Sequence, residues 1–360
     1  MKRIKNILLA TVLSISINSA FAQNQKLTSA FSKSYDFEKS KDYETAIKAL
    51  QDDYVSTSYE ENLRLGWLYY KDGKNKESEN YYRIAVKLMP YSVEAKTGLI
   101  YPVYAENNMT SLEEVYKKIL EVDAFDINSN YQLGYINYNK KNYSDAKKYF
   151  EKIINLYPSG YEPYLRDTWT QINKQDKPSD KIVNAFNKSY DFESKGDYAS
   201  AMASLKDIYD PKYYDVNFRL GWLNYLSGLY KESTKYYQIA IDLKPASIEP
   251  QIGIKSPLIA LGNYDEVSKH NKKIIEIDPQ NSYANYGLGA YYYSKNDYST
   301  AYLYLEKVVN LYPFSYDGLI LYAWANFKIG KIAEAKLLFN KVLMLAPSDT
   351  SALQGLALIK

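Results

Sequence analysis

The sequence predicts an all-α protein, a solenoid of stacked helix-turn-helix repeats, on three observations. The stretch Asn62–Tyr70, NLRLGWLYY, returns as NFRLGWLNY at Asn217–Tyr225, 217 − 62 = 155 residues later. The same offset aligns most of the two halves of the chain without a gap, so one module is duplicated. Within the module shorter units recur, since 347 − 313 = 34 and 313 − 279 = 34 for three of the prolines. Self-similarity at such a period marks a repeat architecture.

Each unit follows one template. Leu65-Gly66 is followed by Gly73, Tyr82, Ala85 and Pro90, and Leu220-Gly221 by Gly228, Tyr237, Ala240 and Pro245. Leu133-Gly134 and Leu288-Gly289 open two further sets that end at Pro158 and Pro313, and Gly330, Ala335, Phe339 and Pro347 make the last. Gly66 and Gly221 are small where two helices cross. Gly73 and Gly330 end a first helix, where a residue without Cβ tolerates a left-handed conformation. Ala85 and Ala240 let the next helix approach. Proline at the end of the unit cannot continue a helix and stops it.

This pattern resembles the tetratricopeptide repeat family over nearly all of the chain after the leader. The resemblance implies a right-handed α-solenoid and a non-enzymatic binding role. In order, the repeats are 27–58, 59–92, 93–126 and 127–160, with 161–174 supplying one further helix and completing a first module at 27–174. A polar segment with a proline, 175–181, reads as a seam between modules. The second module, 182–349, holds repeats 182–213, 214–247, 248–281, 282–315 and 316–349. Residues 350–360 form a terminal helix that covers the last core face, as capping elements do in solenoids. Pro102 and Pro257 fall inside the first helix of the third repeat of each module, where a proline removes a hydrogen bond and kinks the helix.

The first residues read as a secretory leader at 1–22. Lys2, Arg3 and Lys5 precede the apolar run Ile7–Ile17, and Ala20-Phe21-Ala22 forms a cleavage site. The expected compartment is the periplasm of a Gram-negative bacterium, with a secreted or surface-associated protein as the alternative. No other stretch has the ~18 consecutive apolar residues of a membrane span, so no transmembrane anchor is expected in the mature chain. The whole chain carries 45 Lys+Arg and 42 Asp+Glu. Losing the three basic residues of the leader leaves 42 − 42 = 0. A neutral chain without a basic face is a poor partner for nucleic acid, whose binding rests on phosphate neutralisation. With no cysteine there are no disulfides, and packing alone must hold the fold.

Catalytic constellations are missing. His270 is the single histidine, its counterpart in the first module is Val115, and Lys-His-Asn-Lys reads as a helix surface. One histidine and no cysteine rule out metal sites built on those ligands, and no phosphate loop occurs. No metal and no cofactor is expected, and the chain is not expected to be an enzyme.

The informative feature is one helical face. The resemblance implies that first helices line the concave groove, through repeat positions 2, 5, 6, 9, 12 and 13. These positions hold Arg64, Trp67 and Tyr70 in one repeat and Arg219, Trp222 and Tyr225 in its copy. Others hold Arg166 and Trp169, Trp324, Tyr135 and Tyr138, and Tyr286 and Tyr293. All four tryptophans occupy position 9. Tyr, Trp and Arg are enriched in interface hot spots, although large aromatics also fill solenoid cores. The Lys and Asn pattern by which some family members clamp a C-terminal carboxylate is absent. The expected partners are protein or peptide segments in the bacterial envelope. The alternative is glycan or peptidoglycan stacked on the same aromatics, against which stands the shortage of Asp or Asn beside the tryptophans.

Overall fold

The computed structural model describes residues 26–159 and 179–359. The leader, the seam up to residue 178 and the helix expected at 161–174 lie outside these residues. Every regular element among the described residues is helical. After a helix over 26–39 come Tyr43–Gln51, Tyr59–Lys71, Asn75–Leu88, Val93–Ala105, Met109–Leu120, Ile127–Asn139 and Tyr143–Leu156. Beyond the seam follow Asp180–Ser194, Tyr198–Ala203, Tyr214–Leu226 and Tyr230–Leu243, then the short pair Glu249–Gly253 and Lys255–Ala260. Tyr264–Ile277, Ser282–Ser294, Tyr298–Leu311, Tyr316–Lys328, Ile332–Leu345 and Thr350–Leu358 complete the order. The chain is an α-solenoid of helix pairs, as its repeats predict.

The residues that start and stop these helices recur with the repeat. Ser58, Ser92, Asp126 and Asp349 each accept, through the side chain, the backbone N–H three residues on. That hydrogen bond satisfies one of the orphan donors of a helix start. The turn between paired helices needs a left-handed residue. Gly73 (φ 76°) and Gly330 (φ 82°) supply it as expected, but Lys41, Asn107, Lys141 and Asn296 hold positive φ at the same turn without being glycine.

Helix crossings explain the other glycines. The Tyr82 ring lies against both Gly66 and Gly98; a Cβ on Gly66 would sit 2.9 Å from it, and one on Gly98 closer still. Tyr237 is flanked in the same way by Gly221 and Gly253. The repeat alanines Ala85, Ala146, Ala240, Ala301 and Ala335 are fully buried. The internal prolines behave differently in the two copies. Val93–Ala105 runs through Pro102 unbroken. In the copy the helix is interrupted at Ile254, next to Gly253, the residue whose carbonyl the Pro257 ring would clash with.

The described chain packs as two compact units that do not follow the duplication. One holds the residues up to Lys118 together with those from Tyr292 on; the other holds Ile119–Tyr291. The first unit has a continuous core in which Phe31, Leu65 and Ala95 are clustered with Phe314, Leu319 and Phe339. In the second, Leu156 is buried with Ile248, Ile274 and Ala284. Each unit therefore takes elements from both modules. The periodicity of a single repeat reports only neighbours one repeat away and carries no trace of this pairing.

Candidate functional site

Arg64, Trp67 and Tyr70 project from one face of Tyr59–Lys71, because steps of three and four residues stay on one side of a helix. The preceding repeat meets them with Ser34, Tyr35 and Glu38. Arg64 donates from Nε to Ser34 Oγ at 3.0 Å and pairs with Glu38 Oε2 at 2.5 Å. Its guanidinium carbon stacks over the Tyr35 ring, 3.9 Å from the centroid. The other Glu38 oxygen accepts the Trp67 indole N–H at 2.6 Å.

The copy repeats this network atom for atom. Arg219 Nε donates to Ser189 Oγ at 3.2 Å, its guanidinium pairs with Glu193 at 2.5 Å, and it stacks 4.0 Å above Tyr190. Trp222 donates to Glu193 Oε1 at 2.6 Å. Both arginines are 6% exposed. This corrects the expectation that Arg64 and Arg219 face a partner: their charge is spent inside the fold on a carboxylate one repeat back. The residues that sequence reasoning missed are Ser34 and Glu38 with their copies Ser189 and Glu193. Their signal was present, since KSYDFE stands unchanged at Lys33–Glu38 and Lys188–Glu193.

The two tryptophans differ in what covers them. Trp67 is joined by Tyr70 at 6.0 Å between ring centroids and by Tyr101, edge-on, at 6.0 Å. The equivalent of Tyr101 in the copy is Ser256. Trp222 accordingly keeps Tyr225 beside it at 5.8 Å and stands 38% exposed. Tyr101 and Tyr104 are themselves open to solvent, so the first unit presents tyrosines where the second presents an indole.

The other candidates are not gathered with these. Trp324 packs edge-on against Phe339 at 5.1 Å and donates to Ser351 Oγ at 2.7 Å, beneath the terminal helix. It seals the end of the core and is not part of an open face. Tyr135 lies edge-on to Phe150, Tyr138 to Tyr143, and Tyr293 to Tyr298. Tyr286 is half-buried. Arg166 and Trp169 lie outside the described residues, as do Ala20 and Ala22.

Perturbed titrations fall at packing positions. Glu94 is pushed up to about 7 by burial while it accepts from Tyr59 and from the Phe314 N–H. Burial pushes Lys255 down to about 8, where it donates to Asn271. His270 is half-buried against Gln251 at 2.7 Å and is lowered by burial, so it is not the plain surface histidine expected. Among the described residues no group of His, Cys, Asp or Glu is arranged to hold a metal ion. No helix among them is long and apolar enough to cross a membrane.

Stacked helix pairs joined by left-handed turns, with buried alanines and glycines at the crossings, define a helical-repeat protein of the kind that works through its surfaces. Residues 127–159 and 283–315 each match a family model described as tetratricopeptide repeat. The chain carries tetratricopeptide repeats, which support a protein-interaction scaffold. Among solved structures it is similar to the MamA protein at 20% identity, covering 45% of this chain and 90% of that one with a TM-score of 0.40. It is also similar to MamA from Desulfovibrio magneticus RS-1 at 18% identity, covering 48% of this chain and 98% of that one with a TM-score of 0.41. No curated protein matches the sequence.

Proposed function

We propose that the chain is a non-enzymatic scaffold of the bacterial cell envelope, exported to the periplasm by its leader. It binds protein or peptide segments on the aromatic face of Trp222 and Tyr225, and secondarily on that of Trp67, Tyr70 and Tyr101. The observation that carries this reading is the held indole. Trp222 is 38% exposed, yet its N–H is tied to Glu193. The apolar ring is presented in one orientation, so little ordering is lost when a partner closes on it. A peptide is favoured over a glycan because the carboxylates beside the indoles, Glu38 and Glu193, are already engaged by arginine and tryptophan.

The size of the anchor follows from its exposure. Of the roughly 250 Å² that a Trp buries at most, the open 38% is about 95 Å². At ~25 cal/mol per Å² this is worth roughly 2 kcal/mol on closure, or about 30-fold in affinity. Trp222→Ala should lose that factor for partners captured from envelope extract, with the fold intact by circular dichroism. A folded Trp222→Ala, Trp67→Ala double variant that captures the same partners equally well rules the reading out. Quenching of Trp222 fluorescence by cell-wall fragments, but not by captured proteins, would transfer the face to glycan.

A further inference from the structure

The two packed units are closed by the same contacts, assembled from opposite modules. In the first unit, the start of the helix Val93–Ala105 carries Ser92 and Glu94. Ser92 Oγ donates to the Leu311 carbonyl at 3.5 Å, and Glu94 accepts both the Phe314 N–H and the Tyr59 hydroxyl at 3.0 Å. In the second unit, Ser247 Oγ donates to the Leu156 carbonyl at 2.7 Å. There Glu249 accepts the Ser159 N–H at 2.9 Å and the Tyr214 hydroxyl at 2.8 Å. The correspondence is complete: 247 − 92, 249 − 94 and 214 − 59 all equal 155, and so do 311 − 156 and 314 − 159. The Ser/Glu/Tyr side of each seam comes from one module and the Leu side from the other. Each module thus carries both halves of a self-complementary contact, and each half is satisfied by the other module.

We propose that this seam is a self-association site whose partner is a second copy of the chain, with residues 292–360 exchanged between two molecules. The first unit is the one open to this. It is made of two separate stretches, up to Lys118 and from Tyr292 on, whereas the second is one continuous run, Ile119–Tyr291. Exchange replaces each contact by an identical one, so only concentration and the connecting segments decide between closure within a chain and closure between chains. The seams also carry keys that keep the halves from pairing at random. Phe314 packs on Phe31 at 5.5 Å and Lys341 pairs with Glu60 at 2.6 Å. The counterpart of Phe314 is Ser159, whose hydroxyl donates to Asp215 at 2.6 Å. A serine at 314 would leave Phe31 uncovered, so the first seam selects its own C-terminal stretch, from the same molecule or from another copy.

The chain has no cysteine, which makes the test clean. A Glu60→Cys, Lys341→Cys chain treated with a short bismaleimide at high dilution should cross-link within the monomer. Two single variants, Glu60→Cys and Lys341→Cys, each cross-link only to another molecule. Refolded together at rising concentration, they should give a covalent heterodimer in excess over the two homodimers. Phe314→Ser in the Lys341→Cys chain should lower its yield several-fold. If the double variant closes within the monomer and the mixed single variants give no excess heterodimer at any concentration, exchange is refuted. If the double variant does not close at all, the seam itself is refuted.

Discussion

Replacing Glu193 by alanine should destabilise the second unit by about 3 kcal/mol. The carboxylate holds two donors, the Arg219 guanidinium and the Trp222 indole. Its removal leaves Arg219, whose side chain is 7% exposed, with the neutral Ser189 hydroxyl and the Tyr190 ring as its described partners. An uncompensated buried charge costs roughly 3–5 kcal/mol. The low end applies because Glu193 itself is 22% exposed and water can enter where it stood. The indole N–H lies near the surface and recovers a water, so it adds little. Urea unfolding followed by tryptophan fluorescence measures the loss. Two further variants, Arg219→Met and the double Arg219→Met, Glu193→Ala, complete a cycle. The double variant should be more stable than Glu193→Ala alone, because no buried charge is left behind. The reasoning fails if Glu193→Ala stays within about 0.5 kcal/mol of the parent or if the two substitutions simply add. Glu38→Ala repeats the experiment in the other unit and should give a loss of the same size.

Three other outcomes are expected. Gly253→Ala, which pushes a methyl into the Tyr237 ring, should cost about 1–3 kcal/mol in urea unfolding as overpacking does; no loss would mean that the ring is free to move aside. Lys141→Gly, at φ 60°, should raise stability by up to about 1 kcal/mol by relieving the left-handed backbone, and a loss on thermal melting would refute the strain. Glu94 is raised by burial from 4.5 to about 7, so the folded chain holds its proton more tightly than the unfolded one. Its contribution, on the order of 3 kcal/mol, is present below about pH 4.5 and lost as pH rises through about 7. Glu94→Gln keeps an acceptor for Phe314 and should flatten that dependence in melts between pH 4.5 and 8. A parent that instead gains stability relative to Glu94→Gln as pH rises reverses the sign and sinks the assignment.

The repeats were legible because the residues that build them act locally. A glycine under a tyrosine ring, a left-handed turn and a proline after a helix each involve residues within one or two turns or one repeat. The site was less legible. The sequence placed Arg64 and Trp67 on one helical face, but did not place the carboxylate that consumes the arginine, since Glu38 belongs to the preceding repeat. The unchanged hexapeptide around it was the available signal. The difference between Trp67 and Trp222 turns on one side chain, Tyr101 against Ser256, in the next repeat on. Trp324 occupied the groove position by count, yet the terminal helix closes over it with Ser351. The contacts between Ser92 and Leu311, 219 residues apart, lay beyond any reading of periodicity.

The rings of Tyr82 and Tyr237 have a mechanical consequence. Each is a wedge held between two glycines of successive first helices, so the step from one repeat to the next is set by the thickness of an aromatic ring. Each ring therefore couples two successive first helices directly. On heating, 59–105 and 214–260 should each let go as a single piece.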